Sequence, residues 1–155
     1  MIIISIKQYD PIIAILRSSL LTNTELASLI GTWTDDGGNT CTAIYPAYID
    51  SIDNPVYPAI TICMDESETI KDRPVFDGTL YYIHGWSKNG PDEVAYLYNL
   101  VVNALDSSEN GRSSISGLAK CRKVNGKSPL YDSDTRTHYF MSEFSIIASK
   151  GLMNA

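Results

Sequence analysis

Histidine and cysteine are the residue types best able to do chemistry here, and the sequence of 155 residues holds two and three of them. A zinc site requires closely spaced ligands such as HExxH or paired CxxC motifs, and the sequence contains neither. His84 lies between Ile83 and Gly85 in a strand-like stretch, which favours a packed or interface histidine. His138 begins another strand-like stretch, which favours a surface position for its side chain. The two histidines therefore indicate packing rather than metal binding.

Cysteine chemistry is limited by the positions of Cys41, Cys63 and Cys121. Their odd number and wide spacing disfavour a disulfide framework and suit a reducing cytoplasm. Cys121 stands between Lys120 and Arg122, and cationic neighbours lower the pKa of a thiol. A catalytic thiol also requires a base placed beside it, which the sequence does not show, so an inert Cys121 is the favoured interpretation.

One set of acids has ligand-like spacing, because Asp132, Asp134 and Glu143 fall at the first, third and twelfth positions of a calcium-loop count. Arg136 occupies the fifth position and Thr137 replaces the glycine required at the sixth, which excludes the motif. GxSxG, Walker and dinucleotide-binding motifs are also missing from the sequence. We therefore predict a non-enzymatic protein with no catalytic, cofactor-binding or metal-binding site.

The elements that position these side chains are organised around residues 77–105, where the hydrophobic period changes once. Residues 79–86 alternate as a strand, with Tyr81 and Ile83 on one face and Tyr82, His84 and Trp86 on the other. Pro91 then opens a predicted helix. Its apolar stripe comprises Val94, Leu97, Tyr98, Val101, Ala104 and Leu105. Because the helix covers one sheet face, the second, aromatic face requires another partner.

The remaining elements predict an α+β fold. Asp10-Pro11 opens a first helix, and Thr22 with Glu25 has the capping-box spacing of a short second helix that ends before Gly31. Further strands are predicted at residues 43–45, 58–64, 118–124 and 137–149, with 118–124 at a sheet edge, and loops at residues 33–40, 65–77 and 125–134. We expect a single domain over residues 1–155, with residues 1–9 as a possible N-terminal arm. Its mostly antiparallel sheet of about four to five strands should carry two main helices on one face.

Charge and composition bound the function further. The formal net charge is -6 at pH 7, whereas proteins that bind nucleic acid tightly usually carry an excess of basic residues. The charge therefore argues against a nucleic-acid-binding groove. No stretch reaches the roughly 20 apolar residues of a membrane span, so we expect a soluble protein without a membrane partner.

Four motifs occur in the order typical of one protein family. They are Ile44-Tyr45, Pro58-Ala59-Ile60, His84-Gly85-Trp86-Ser87 and the segment from Thr137-His138 to Phe144. In this order, and in the helix that follows the third motif, residues 10–149 resemble the tail terminator (tail completion) proteins of long-tailed bacteriophages. The lead-in at residues 2–6 and the loop at residues 33–40 depart from that pattern, which leaves the N-terminal contacts open.

The resemblance implies a structural virion protein at the head-tail junction, made in the host cytoplasm. Family members form a ring, commonly of six subunits, that caps the tail tube, stops its polymerisation and joins the tail to the head connector or stopper protein. Such a ring would let DNA pass without specific binding. The subunit number, the type of tail and the ring face that meets the tube stay open.

Residue assignments follow from combining the resemblance with the two-sided sheet. We predict that the subunit interface contains Tyr82, His84, Trp86, Tyr139 and Met141. For the acidic segment 65–77, we predict contact with the ring lumen or the tail tube through Asp65, Glu66, Glu68 and Asp72.

Two other classes of function remain open from the sequence. Another neck component, such as a connector adaptor or a stopper, would also oligomerise but would bind the portal side. A small cytoplasmic enzyme or ligand-binding α+β domain would instead be a monomer or dimer with a pocket near His84. The mass of the protein in solution and a neighbouring tail-tube gene would distinguish these classes.

Overall fold

A five-stranded sheet with helices on one side positions the candidate residues. The computed structural model describes residues 10–64, 79–107 and 113–149. Its helices are α1 (Pro11–Thr22), α2 (Thr24–Leu29) and α3 (Pro91–Leu105), and a 3-10 turn spans Ile49–Ser51. Its strands are β1 (Thr32–Thr34), β2 (Thr40–Thr42), β3 (Ile44–Tyr45), β4 (Ala59–Met64), β5 (Thr79–Ser87), β6 (Leu118–Asp132) and β7 (Thr137–Ala148).

The strand order in the main sheet is β3-β4-β5-β7-β6. Every neighbouring pair is antiparallel except β3 and β4, which run parallel. This arrangement confirms the predicted α+β class and the mostly antiparallel sheet, and it confirms that β6 is an edge strand. The organising strand and helix occur where the period change predicts them.

The core lies between the sheet and the helices. Helix α3 packs on β5, β6 and β7, and α1 and α2 pack against α3. Fully buried side chains from both layers meet there: Leu16, Leu20 and Leu26 from α1 and α2, Leu97 from α3, and Ile60, Ile62, Tyr81, Ile83, Phe140 and Phe144 from the strands. Each large aliphatic or Phe side chain contributes roughly 1.5–3 kcal/mol when removed from water, so this core dominates the stability of the fold.

Asp10 ties the helix layer to the centre of the sheet. Its Oδ1 accepts a 2.9 Å hydrogen bond from the backbone N–H of Ile12, which caps α1 as predicted. Its Oδ2 accepts a 2.7 Å hydrogen bond from the Tyr81 hydroxyl on β5. A single carboxylate therefore sets where α1 begins and how it lies on the sheet.

Three local predictions were wrong. The cap of α2 is Asn23, whose Oδ1 accepts from Leu26 N–H at 3.0 Å, rather than Thr22, and the helix ends at Leu29 with Ile30 as its C-cap. The predicted loop at residues 33–40 contributes to the antiparallel pair β1–β2, which closes around a turn held by Asp35. Strand β6 continues through residues 125–132, because pairing with β7 satisfies the backbone of a polar stretch that has little strand signal of its own.

Two predicted segments fall outside the described residues. They are the possible arm at residues 1–9 and the acidic segment at residues 65–77, which contains Asp65, Glu66, Glu68 and Asp72.

Candidate subunit interface

Four rings form a ladder on the sheet face opposite the helices. This aromatic ladder consists of Tyr82, His84 and Trp86 from alternate positions of β5 and Tyr139 from β7. The His84 ring stacks on those of Trp86 and Tyr139, with centroids 5.8 and 6.3 Å apart, and Trp86 stacks on Tyr139 at 4.8 Å. Tyr82 extends the ladder at 6.0 Å from His84. The two-residue repeat of β5 and its antiparallel register with β7 produce this arrangement.

Met141 completes the set, because it lies directly opposite His84 in the register between β5 and β7. All five residues predicted for the subunit interface therefore share one face of the sheet. Their role in an interface stays a prediction. Four of these side chains are half-buried, so part of each stays accessible: Tyr82, His84, Tyr139 and Met141.

Trp86 differs from the other members of the ladder because it is only 8% exposed. Its indole N–H donates a 3.0 Å hydrogen bond to the hydroxyl of Thr61, which is buried on the neighbouring strand β4. A buried tryptophan with a satisfied N–H holds two strands together. Trp86 therefore stabilises the fold of the single chain, and it packs against the more accessible rings of His84 and Tyr139.

The His84 imidazole lies in an environment that disfavours charge. Burial among the rings lowers its pKa from 6.5 to about 4, so the side chain is neutral at pH 7. A neutral imidazole stacked on aromatic rings behaves as another flat, weakly polar surface. This character suits packing against a protein partner.

A basic edge borders the aromatic ladder. Lys120, Arg122 and Lys127 on β6 are exposed, and their register partners Ile147, Ser145 and Met141 place them on the same sheet face as the ladder. The cationic run on β6 predicts a sheet edge from sequence, but the face to which each cation belongs depends on the register of β6 with β7.

Lys123 belongs to the opposite face of β6. Its ammonium group donates a 3.1 Å hydrogen bond to the Tyr98 hydroxyl of α3 and lies 5.4 Å from the centre of that ring. Lys123 therefore anchors α3 to β6 and takes no part in the basic border.

The structure agrees with the favoured interpretation that Cys121 is inert, because its cationic sequence neighbours do not activate the thiol. Cys121 is fully buried on the helix side of β6, and burial, aided by the Asp106 carboxylate, raises its pKa to about 12. Successive side chains of a strand point to opposite faces, so the cationic groups of Lys120 and Arg122 lie on the other side of the sheet. Cys63 is also a poor nucleophile, because burial raises its pKa to about 11.

The three acids with calcium-like spacing in the sequence do not come together in the structure. Asp132 is the last residue of β6 and Asp134 lies in the turn that follows, where Asp132 Oδ1 accepts a 2.9 Å hydrogen bond from Asp134 N–H. Glu143 lies within β7 opposite Asn125. Within residues 10–64, 79–107 and 113–149, no group of three His, Cys, Asp or Glu side chains is placed to hold a metal ion.

Concave surfaces occur away from the ladder. One cavity of about 460 Å³ lies among Ile49, Asp50, Ile52, Asn54, Pro55, Tyr57, Lys88 and Thr135. A second of about 430 Å³ lies between α1, the end of α3 and residues 114–116. His84 lines neither of these cavities. None of the helices in the described part of the chain is both long and apolar enough to cross a bilayer.

Sequence reasoning missed one exposed aromatic residue on the helix layer. Tyr96 of α3 is 47% exposed, and its hydroxyl donates to the Glu25 carboxylate on α2. The available signal was its position outside the apolar stripe of α3, because an aromatic residue on the polar side of a helix has no place in the subunit core.

No protein-family model matches this sequence, and no curated protein sequence is significantly similar to it.

Proposed function

We propose that this protein forms a closed ring of six subunits that caps the tail tube of a long-tailed bacteriophage, stops its polymerisation and joins the tail to the head connector. The observation that carries the proposal is the aromatic ladder, which lies on the sheet face that none of the described helices covers, with three of its four rings half-buried. Aromatic side chains are enriched in protein interfaces, and a second copy of the chain is a partner that is always present. The resemblance of the motif order to that of tail terminator proteins supports a ring of this kind.

The two sheet edges favour a closed assembly over continuous strand addition. Strand β3, which lies at one edge of the sheet formed by the described strands, is two residues long. Strand β6 carries exposed lysines, Pro129 and three register shifts, all of which discourage another strand from adding to it. Contacts between copies would then use faces rather than edges. Face contacts between unlike surfaces close into a ring when the rotation per subunit allows it.

The net charge suits a channel for DNA. Six subunits at -6 each give a formal charge of -36 for the ring. An acidic ring repels the phosphate backbone and lets DNA slide through without specific binding. The assignment of Asp65, Glu66, Glu68 and Asp72 to the lumen or the tube remains part of this proposal.

The proposed partners are further copies of the chain, the tail tube protein and the head connector or stopper protein. The ring would act at the neck of the virion, after synthesis in the host cytoplasm. The proposal includes no enzymatic role, which is consistent with the burial of the Cys121 thiol and its pKa of about 12, and with the lack of a three-residue metal-binding group among the described residues.

Two measurements test the proposal. Light scattering should give a mass of about 103 kDa, six times the 17.1 kDa subunit. Adding the purified protein to polymerising tail tube protein should cap the tubes and stop their growth, which electron microscopy can follow. A monomer at micromolar concentration would contradict the proposal. Binding to the connector without any effect on tubes would instead identify an adaptor or stopper.

A further inference from the structure

Two patches of described residues, one on the strand layer and one on the helix layer, differ in charge. We infer that neighbouring copies bind head to tail, with the face of β6 and β7 that carries the aromatic ladder in one copy against the outer surface of α2 and α3 in the next. This inference rests on the proposed ring and names the two surfaces that would form each contact within it.

The first surface is the basic strand patch, defined as Lys120, Arg122 and Lys127. All three side chains are exposed on edge strand β6, beside the aromatic ladder. The carboxylates of the same face on β6 and β7 are Glu143, opposite Asn125, and Asp132 at the far end of β6. Cations therefore outnumber acids on this part of the surface.

The second surface is the acidic helix patch, defined as Glu25, Asp92 and Tyr96. The Tyr96 hydroxyl donates to Glu25, which brings α2 and α3 together at this point, and Asp92 lies one helical turn before Tyr96. All three side chains are exposed. The sequences of α2 and α3 contain no lysine or arginine to offset the two acids.

The third acid of these helices is turned toward the subunit itself. Glu93 accepts hydrogen bonds from the Ser87 hydroxyl at 2.7 Å and from the Asn89 side chain. The carboxylates that α2 and α3 offer outward are therefore those of Glu25 and Asp92.

The positions of the two patches determine how copies can meet. They lie on opposite layers of one subunit, so they cannot neutralise each other within it. Pairing the same face of two copies would bring like charges together, which costs binding energy. Pairing unlike faces sets arginine and lysine against carboxylates and places the exposed Tyr96 ring beside the aromatic ladder. Such heterologous contacts are those from which a ring is built.

Charge reversal tests the inference directly. A strand-patch variant carries Lys120→Glu and Arg122→Glu, and a helix-patch variant carries Glu25→Lys and Asp92→Lys. Each variant alone should assemble at least about tenfold more weakly than the parent, because like charges then meet at every contact. An equimolar mixture should regain assembly in alternating order, since each contact again joins opposite charges. Light scattering at about 50 and 300 mM salt measures assembly, and circular dichroism verifies the fold.

Matched controls separate this inference from general effects of charge. Asp36→Lys reverses an exposed acid in the β1–β2 turn, outside both patches, and should assemble like the parent. Restored assembly in the mixture supports the head-to-tail contact. If either double variant assembles as well as the parent, or if the two variants stay unassembled when mixed, this inference is overturned. The proposed ring itself would still stand. A monomeric parent would overturn the ring and this contact together.

Discussion

The Cys121 thiol illustrates how strand geometry decides the chemistry of a side chain. Its sequence neighbours are cations, but its spatial neighbours are the buried residues beneath α3 and the Asp106 carboxylate. A pKa near 12 leaves almost no thiolate at neutral pH, and the thiolate is the reactive form.

We predict that Cys121 reacts with a disulfide reagent at pH 8 at least about a hundredfold more slowly in the folded protein than in urea. Both burial and the raised pKa of its thiol slow the reaction. The absorbance of the thiolate released from the reagent follows each kinetic phase of the reaction. The slowest phase should be missing in the Cys121→Ala variant. Labelling of Cys121 at its unfolded rate would contradict the prediction.

His84 should make stability depend on pH in a defined direction. Its pKa is lowered from 6.5 to about 4 by burial, so the unfolded chain takes up a proton at a higher pH than the folded protein does. The stabilising effect of keeping this imidazole neutral is fully present above pH 6.5. It is lost progressively as the pH falls from 6.5 toward 4.

The variant His84→Phe keeps a flat ring in the ladder and removes this titration. We predict that the free energy of unfolding falls more steeply between pH 6.5 and 4 in the parent than in His84→Phe. Urea denaturation at several pH values measures both curves, and the difference between them cancels the contribution of the acids common to both proteins. Parallel curves would show that His84 titrates normally in the folded protein.

At the scale of elements, α3 approaches β5 closely because position 85 lacks a side chain. A Cβ on Gly85 would overlap the Phe140 ring and lie 2.7 Å from Leu97 Cδ2. The helix therefore packs directly on the centre of the sheet, and the Ser87–Glu93 hydrogen bond holds the turn that joins them.

We predict that Gly85→Ala destabilises the subunit by about 1–3 kcal/mol, because Leu97 and Phe140 must move apart in a filled core. Thermal unfolding should then begin several degrees lower. Gly37→Ala is a suitable control, since Gly37 lies in the exposed β1–β2 turn without a left-handed backbone. Equal effects of the two substitutions would argue against close packing at Gly85.

At the scale of the whole molecule, the two faces of the sheet are buried to different extents. The face beneath α3 is covered within one subunit, whereas the aromatic ladder is only partly covered there. Trp86 belongs to the fold of the subunit, so Tyr82 is the better residue with which to test assembly.

We predict that Tyr82→Asp weakens ring formation at least about tenfold while leaving the subunit folded, because the new charge would face the neighbouring copy in the proposed ring. Val101→Asp should unfold the subunit, since Val101 is 0% exposed in the core beneath α3. Light scattering together with circular dichroism distinguishes the two results. If Tyr82→Asp assembles like the parent, or unfolds like Val101→Asp, the ladder is not the interface.

The sequence by itself determined the elements whose patterns are local. Pro91 and the apolar stripe of α3 depend on helix period, Asp10-Pro11 depends on capping chemistry, and the alternation in β5 depends on strand period. These signals arise from residues within a few positions of one another. They were sufficient for the α+β class, for both faces of β5 and for the set of rings in the ladder.

Only the tertiary structure decided the features that depend on distant partners. The polar second half of β6 is a strand because β7 pairs with it, and that register separates Lys123 from Lys120, Arg122 and Lys127. Trp86 is buried, and its indole N–H is satisfied by Thr61 on another strand. The acidic helix patch likewise joins Glu25 to Tyr96 across 71 positions of sequence. The local periodicity of the sequence does not predict such contacts, because they form only when the chain folds back on itself.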